Sequence, residues 1–255
     1  MSSSQNFQLL IAYDGTDFSG WQRQKKDRTI QGEIESCLKH MTQEDISLHG
    51  AGRTDAGVHA DGMVASFLST SKISPANFIR GLNSMLPGAI RILEVNRATT
   101  DFHARYSAKG KRYQYTIFLG KIQPPTKRLY ALHIRDSLDI ELMNSCLKLV
   151  EGTHDYSSFE NSGSRDKSCT SGRGAIRTIS EASLSHNKET HLLTIQFIGD
   201  GFLRNMVRNM VGALLAVGRR RITLKEFENI LGAKDRTLAP PTVQSNGLCL
   251  KEVFY

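Results

Sequence analysis

The 255-residue chain has little cysteine, no long hydrophobic run and no excess of acidic charge. Its four cysteines stand at positions 37, 146, 169 and 249, no two of them close in sequence. That spacing offers neither a zinc knuckle nor a redox pair, and free thiols in a reducing cytosol suit it best. The longest apolar stretch, Met210–Val217, falls far short of the ~20 residues of a membrane helix, and arginines flank it. The first residues, Met-Ser-Ser-Ser-Gln, have no basic segment and no apolar core, so secretion is not expected. These absences exclude a membrane protein, a disulfide scaffold and a Cys-rich metal module. What is present is positive charge: 33 lysines and arginines against 25 aspartates and glutamates, a net charge of +8. With 39% hydrophobic and 23% charged residues the chain has a folded, soluble composition. The charge favours an anionic partner, nucleic acid foremost.

Hydrophobic spacing predicts an α+β protein. Phe7–Tyr13 reads as a strand, Thr29–Met41 as a helix, Ile46–His49 and Met63–Leu68 as short strands around a glycine-rich loop. Pro75–Met85 reads as a helix with proline in its first turn, and Ile90–Val95 as a strand. The order is β-α-β-β-α-β. It recurs approximately as strand Tyr113–Leu119, helix Ile140–Val150 and strands Ala175–Leu184 and His191–Ile198 about a polar turn Ser185–Glu189. Helices Phe202–Val217 and Leu224–Leu231 and a last strand Leu248–Phe254 complete it. Two split-βαβ, ferredoxin- or RRM-like units are therefore expected, with merged antiparallel sheets and a central cleft. The division is expected at residues 1–105 and 106–255, although the halves share no matching sequence. Loop Asn161–Gly174 is polar, glycine-containing and expected to be mobile.

Three segments carry chemistry. In Gly50-Ala-Gly-Arg-Thr-Asp-Ala-Gly-Val-His-Ala-Asp-Gly62, glycines crowd Arg53 and Asp55 between two apolar strands. The spacing is not that of a phosphate loop, and the acidic residues are too few for an EF-hand. A lone carboxylate beside an arginine suits a nucleophile or base kept ionised. Phe102-His-Ala-Arg105 and Lys109-Gly-Lys-Arg-Tyr-Gln-Tyr115 interleave cations with aromatics, as base stacking with phosphate contact requires. Tyr113 and Tyr115 fall on one strand face. On the helix Phe202–Val217, Arg208 lies at the edge of an apolar stripe. It could snorkel with its stem on the core or, if buried, pair with a carboxylate, for which Asp55 is a candidate.

These residues resemble the TruA type of tRNA pseudouridine synthase. The resemblance rests on Tyr13-Asp-Gly-Thr-Asp-Phe-Ser-Gly-Trp-Gln22, Thr29-Ile-Gln-Gly32, Gly52–Ala60, Phe102–Arg105, Arg112–Tyr115, Phe202–Gly212 and Ala239-Pro240 leading to Gly247-Leu248. They occur in the family's order and span nearly the whole chain. The resemblance implies isomerisation of uridine at positions 38, 39 and 40 of tRNA, without cofactor or metal. It also implies the pseudouridine synthase fold, a cytoplasmic homodimer and RNA lying across both subunits. It assigns catalysis to Asp55, acting at C1′ as nucleophile or on a sugar proton as base, with Tyr113 against the uracil and Arg208 as partner of the aspartate. Arg53 is implied to hold the flipped-out nucleotide. Arg23, Lys109 and Lys111 are candidate RNA contacts, together with Lys25, Lys26, Arg28 and Arg219–Arg221. Two other classes fit less well. A non-catalytic RNA-binding pair of RRM-like units would leave Asp55 unexplained, and a metal-dependent nuclease would need carboxylates clustered about it.

Overall fold

The computed structural model describes residues 4–161, 163 and 172–255. The chain divides into two compact units, Met1–Lys109 with Cys249–Tyr255, and Gly110–Leu248. The first holds strand β1 (Gln5–Tyr13), helix α1 (Ile30–Thr42), strands β2 (His49–Gly50) and β3 (His59–Ser69), helix α2 (Pro75–Met85) and strand β4 (Ile90–Ala98). The second holds β5 (Gly110–Phe118), β6 (Leu132–His133), α3 (Ile140–Val150), β7 (Gly152–Asp155), β8 (Ile176–Asn187), β9 (Leu192–Gly199), α4 (Met206–Gly218) and α5 (Leu224–Ala233). A last strand, β10 (Leu248–Phe254), returns to the first unit. Both units are α+β, and antiparallel pairing predominates in each.

In β1 every second side chain, Phe7, Leu9, Ile11 and Tyr13, is at most 4% exposed, the period of a strand with one buried face. It pairs antiparallel with β3 on one side and β4 on the other. The far edge of β3 takes β10 in parallel at His59–Ala60 and β2 further along at Ala65–Ser66. Helix α1 buries Ile30, Ile34 and Leu38 completely, each contributing about 1.5–3 kcal/mol. Thr29 caps it by accepting from the Gly32 amide. Phe78 of α2 meets Phe7 and Phe67 edge-on at 5.0 and 5.5 Å, which closes the core under the sheet.

The second unit orders its strands β5-β9-β8-β7, with β6 beside β5. Tyr113, Tyr115 and Ile117 of β5 and Leu193, Ile195 and Phe197 of β9 form its buried face. α4 is almost wholly buried among α3, α5, β5 and the turn Ser157–Phe159.

Several boundaries differ from expectation. The unit boundary falls at Lys109/Gly110 rather than 105/106, and the last strand joins the first unit, so the second half does not close its repeat alone. The strand expected at Ile46–His49 is reduced to His49–Gly50, because the Leu48 amide donates to Glu35 Oε1 at 3.0 Å instead of joining a ladder. α4 begins at Met206, not Phe202, because Asn205 takes a left-handed φ of 60°. β8 runs on to Asn187 and pairs with Leu192, which confines the polar turn to Lys188–His191. In the loop expected at Asn161–Gly174, positions 162 and 164–171 lie outside the described residues.

Candidate active site

The segment that carries Asp55 touches a second stretch of the chain, main chain to main chain. The Trp21 amide donates to the Thr54 carbonyl at 3.1 Å, and the Gly57 amide to the Phe18 carbonyl at 3.4 Å. Asp55 itself closes a tight turn, its carbonyl accepting from the Val58 amide at 3.1 Å. Such proximity leaves no room for side chains between the segments. A Cβ on Gly15 would stand 2.0 Å from the Val58 carbonyl oxygen. One on Gly20, whose φ is +89°, would stand 2.5 Å from the Thr54 carbonyl oxygen. The Tyr13–Gln22 and Gly52–Ala60 runs are thus one structural device: a strap over the aspartate loop.

Side chains complete the strap. The Tyr13 hydroxyl and Thr54 Oγ1 are hydrogen-bonded at 2.8 Å in a buried position next to Asp55. The Gly15 amide donates to His59 Nδ1 at 3.2 Å, and Asp14 Oδ1 lies 3.1 Å from the same nitrogen. Trp21 is buried against Gly50. Asp55 is half-buried and Arg53 exposed, so both are reachable from solvent. Asp61, the other acid of the loop, is engaged by Lys251 of β10.

In the second unit, Tyr113 is buried on β5 opposite Phe197, and its ring meets Phe202 edge-on at 5.0 Å. Tyr115, buried on the same face, donates its hydroxyl to the Gln244 carbonyl at 2.6 Å. Burial pushes the Tyr115 pKa up, with the Arg208 charge acting in the opposite direction. Arg208 is half-buried in the first turn of α4. Its Nε donates to the Val243 carbonyl at 2.8 Å and its Nη1 to Asn205 Oδ1 at 2.9 Å. A guanidinium held at two nitrogens is oriented, which a snorkelling side chain is not. Its neighbour Asn209 is fully buried, donating to the Phe159 carbonyl at 2.7 Å. Asn209 Oδ1 accepts from Arg236 at 3.1 Å and Thr242 at 2.5 Å. These bonds tie α4 to the segment around Ala239-Pro240.

Lys109 is exposed and Lys111 half-buried at the start of β5. Arg23 is exposed, but its Nη1 lies 2.9 Å from Glu35 Oε2, a carboxylate only 6% exposed. Arg28 pairs with Glu33, Arg219 with Asp136 and Arg220 with Asp139. Sequence reading did not single out Tyr13, Thr54 or Asn209. For Asn209 the apolar pattern carries no signal: at 100° per residue it falls about 130° from the centre of the stripe Met206, Val207, Met210 and Val211, where a polar residue is ordinary. Among the described residues, no group of three or more His, Cys, Asp or Glu is placed to hold a metal ion. No helix among them is long and apolar enough to cross a membrane.

A family model described as tRNA pseudouridine synthase matches residues 9–107 and 147–255. The chain is 56% identical over 250 residues to tRNA pseudouridine synthase A 1 of Desulfotalea psychrophila, covering 98% of this chain and 99% of that protein. It is 42% identical over 254 residues to tRNA pseudouridine synthase A of Ligilactobacillus salivarius, covering 99% and 97%. To the protein of that name from Clostridium kluyveri it is 43% identical over 251 residues, covering 98% and 99%.

Proposed function

The chain belongs to the tRNA pseudouridine synthase family, and from that membership we propose that it converts uridine to pseudouridine at positions 38, 39 and 40 in the anticodon stem-loop of tRNA, with Asp55 as the catalytic carboxylate. It is an isomerase acting on tRNA. The N1–C1′ glycosidic bond breaks, the uracil turns while held, C5 bonds to C1′, and the C5 proton leaves as N1 gains one. Nothing is oxidised or reduced. Asp55 acts at the ribose, as nucleophile at C1′ or as base toward a sugar proton, and both roles need its charge. Tyr113 supplies a ring against the uracil and Arg208 the cation of the same reaction. Arg53, Lys109, Lys111 and Arg23 are the proposed RNA contacts, with the target nucleotide flipped out of its stack to reach the enzyme.

The observation that supports this reading most is the strap over the Asp55 loop. A reactive carboxylate must be held within a fraction of an ångström, and main-chain contacts at Gly15 and Gly20 restrict the loop on both sides. Replacing Asp55 by Asn keeps size and much of the hydrogen bonding while removing the charge. In Asp55→Asn, tritium release from uracil C5 of labelled tRNA should fall below detection, while filter binding of the same tRNA stays close to wild type. Release at near wild-type rate would sink the assignment. Loss of binding and activity together, with the fold intact, would make Asp55 a recognition residue. Pseudouridine mapping of bulk tRNA from a strain lacking the protein tests the three positions.

A homodimer in the cytoplasm completes the proposal. Cys37, Cys146 and Cys249 are free, and burial pushes the Cys146 thiol up to about 11 and Cys249 up to about 12, so these thiols stay protonated and inert. Light scattering that returns only the 28.4 kDa monomer would refute the dimer.

A further inference from the structure

The turn that follows β4 carries Phe102-His-Ala-Arg105, a segment the strap and the catalytic residues leave unused. Five consecutive amides in it are satisfied. His103 donates to Ser107 Oγ and Ala104 to Ser66 Oγ, both at 3.1 Å. The Arg105 and Tyr106 amides donate to His103 Nδ1 at 3.1 and 3.4 Å, and that of Ser107 to the His103 carbonyl at 2.9 Å. Ala104 is fully buried, and its carbonyl accepts from the Tyr255 hydroxyl at 2.6 Å. A turn fixed so completely nevertheless leaves Tyr106 76% exposed.

That ring has company. His103 lies 4.4 Å from it and His49 lies 5.0 Å from His103, centroid to centroid. The Arg105 guanidinium is 5.8 Å from the Tyr106 centroid. Because His103 Nδ1 accepts two amides, the ring is neutral when they are bound. Its pKa is held below the ordinary imidazole value by burial first and by the charges of His49 and Arg105 in the same direction. The cluster is therefore aromatic surface with one full cation at its side, not a general phosphate patch. Aromatic rings beside a cation are what an unstacked base with its own phosphate requires.

We infer that His49, His103 and Tyr106 form a stacking platform for an unpaired base of the tRNA, with Arg105 meeting the adjoining phosphate. The inference rests on the proposed tRNA substrate. The platform stands where the Asp55 loop leaves β2: His49 and Ala104 attach at Ser66, whereas the far end of the loop returns to the sheet at His59–Ala60. The six residue steps along β3 from Ala60 to Ser66 span about 20 Å. In this inference the base held here is a second point of recognition beside the reacting uridine.

The test is filter binding of unmodified tRNA over a range of salt, with thermal unfolding as the control for folding. Tyr106→Ala should weaken binding about tenfold with the salt slope unchanged, since stacking releases no counterions, and Tyr106→Phe should restore it. Arg105→Ala should reduce the slope by about one. Turnover at saturating tRNA should be unchanged in all three. Wild-type affinity in Tyr106→Ala overturns the platform while leaving the proposed reaction standing. A changed mass of Tyr106→Ala in light scattering also overturns it, because the cluster is then a contact between copies of the chain. Failure of the wild-type protein to bind tRNA overturns platform and substrate together.

Discussion

Asp55 stands on a loop fixed by main chain, whereas Arg208 stands on a helix fixed by side chains. Around Asp55 the partners are carbonyls and amides of the Tyr13–Gln22 strap, and the side chains that matter most are the ones Gly15 and Gly20 lack. Around Arg208 the partners are the Asn205 side chain, the Val243 carbonyl and the buried Asn209 network that anchors α4. The two arrangements differ in what they tolerate. A main-chain clamp yields to any added atom, while a side-chain anchor yields to loss of a partner.

The first way to sharpen that difference is to add one methyl group. In Gly15→Ala the new Cβ meets the Val58 carbonyl oxygen at 2.0 Å, and backbone cannot swing aside as a flexible side chain would. Overpacking of this kind costs about 1–3 kcal/mol. For units of this size that lowers the melting temperature by roughly 2–12 °C. The larger effect falls on turnover. Val58 lies three residues past Asp55, and a displacement of about 1 Å at a reacting group costs about 100-fold. Single-turnover tritium release beside a thermal melt measures both. Full activity in Gly15→Ala would show that the strap does not set the position of Asp55.

The contrast also explains what could be read from sequence. Helices Pro75–Met85 and Ile140–Val150 were legible to the residue because their ends are signalled locally: Ser74 accepts from the Asn77 amide and Asp139 from that of Leu142. The aspartate loop was legible because glycines mark close approach in the sequence itself. Other features depend on distant partners. Asn205 stops α4 from extending back to Phe202 through a backbone angle that the apolar pattern does not encode. β6 and β7 are two and four residues long, too short for an alternating pattern, and β7 becomes a strand only where β8 lies beside it. Tyr13 and Thr54, 41 positions apart, become a pair only once the strap is closed.

Removing a partner tests the other half of the comparison. Arg208→Met keeps the apolar stem and deletes the guanidinium that bonds Val243 and Asn205. If those bonds only brace α4, the variant should lose about 1–2 kcal/mol of stability and retain turnover in what remains folded. If Arg208 is the cation of the reaction, turnover should fall roughly 10- to 100-fold, the loss of one charged hydrogen bond, while tRNA affinity changes little. The second outcome is expected. Arg208→Lys separates the two further, because lysine restores charge without the two-pronged geometry.

The smallest expected effect belongs to Arg23, where the proposed RNA contact competes with an internal partner. Its guanidinium is on Glu35, whose other oxygen also accepts from the Gln31 side chain at 2.9 Å and the Leu48 amide at 3.0 Å. Glu35 therefore keeps two donors when Arg23 is cut back to alanine. The arginine is 62% exposed, so water can replace it. With the arginine in solvent and the carboxylate still holding two donors, losing the pair costs about 1 kcal/mol or less, and the melting temperature of Arg23→Ala should fall by no more than roughly 4 °C. Its effect on RNA follows from the same geometry. A cation already set against a carboxylate releases less than one counterion on meeting a phosphate, so the slope of log affinity against log salt should change by less than the ~0.9 of a full contact. Lys109→Ala is the reference, and there the slope should flatten by about one. Equal flattening per residue in the two experiments would show that Arg23 leaves Glu35 for the RNA. The residue that follows the strap would then be an RNA contact, next to the clamp on Asp55.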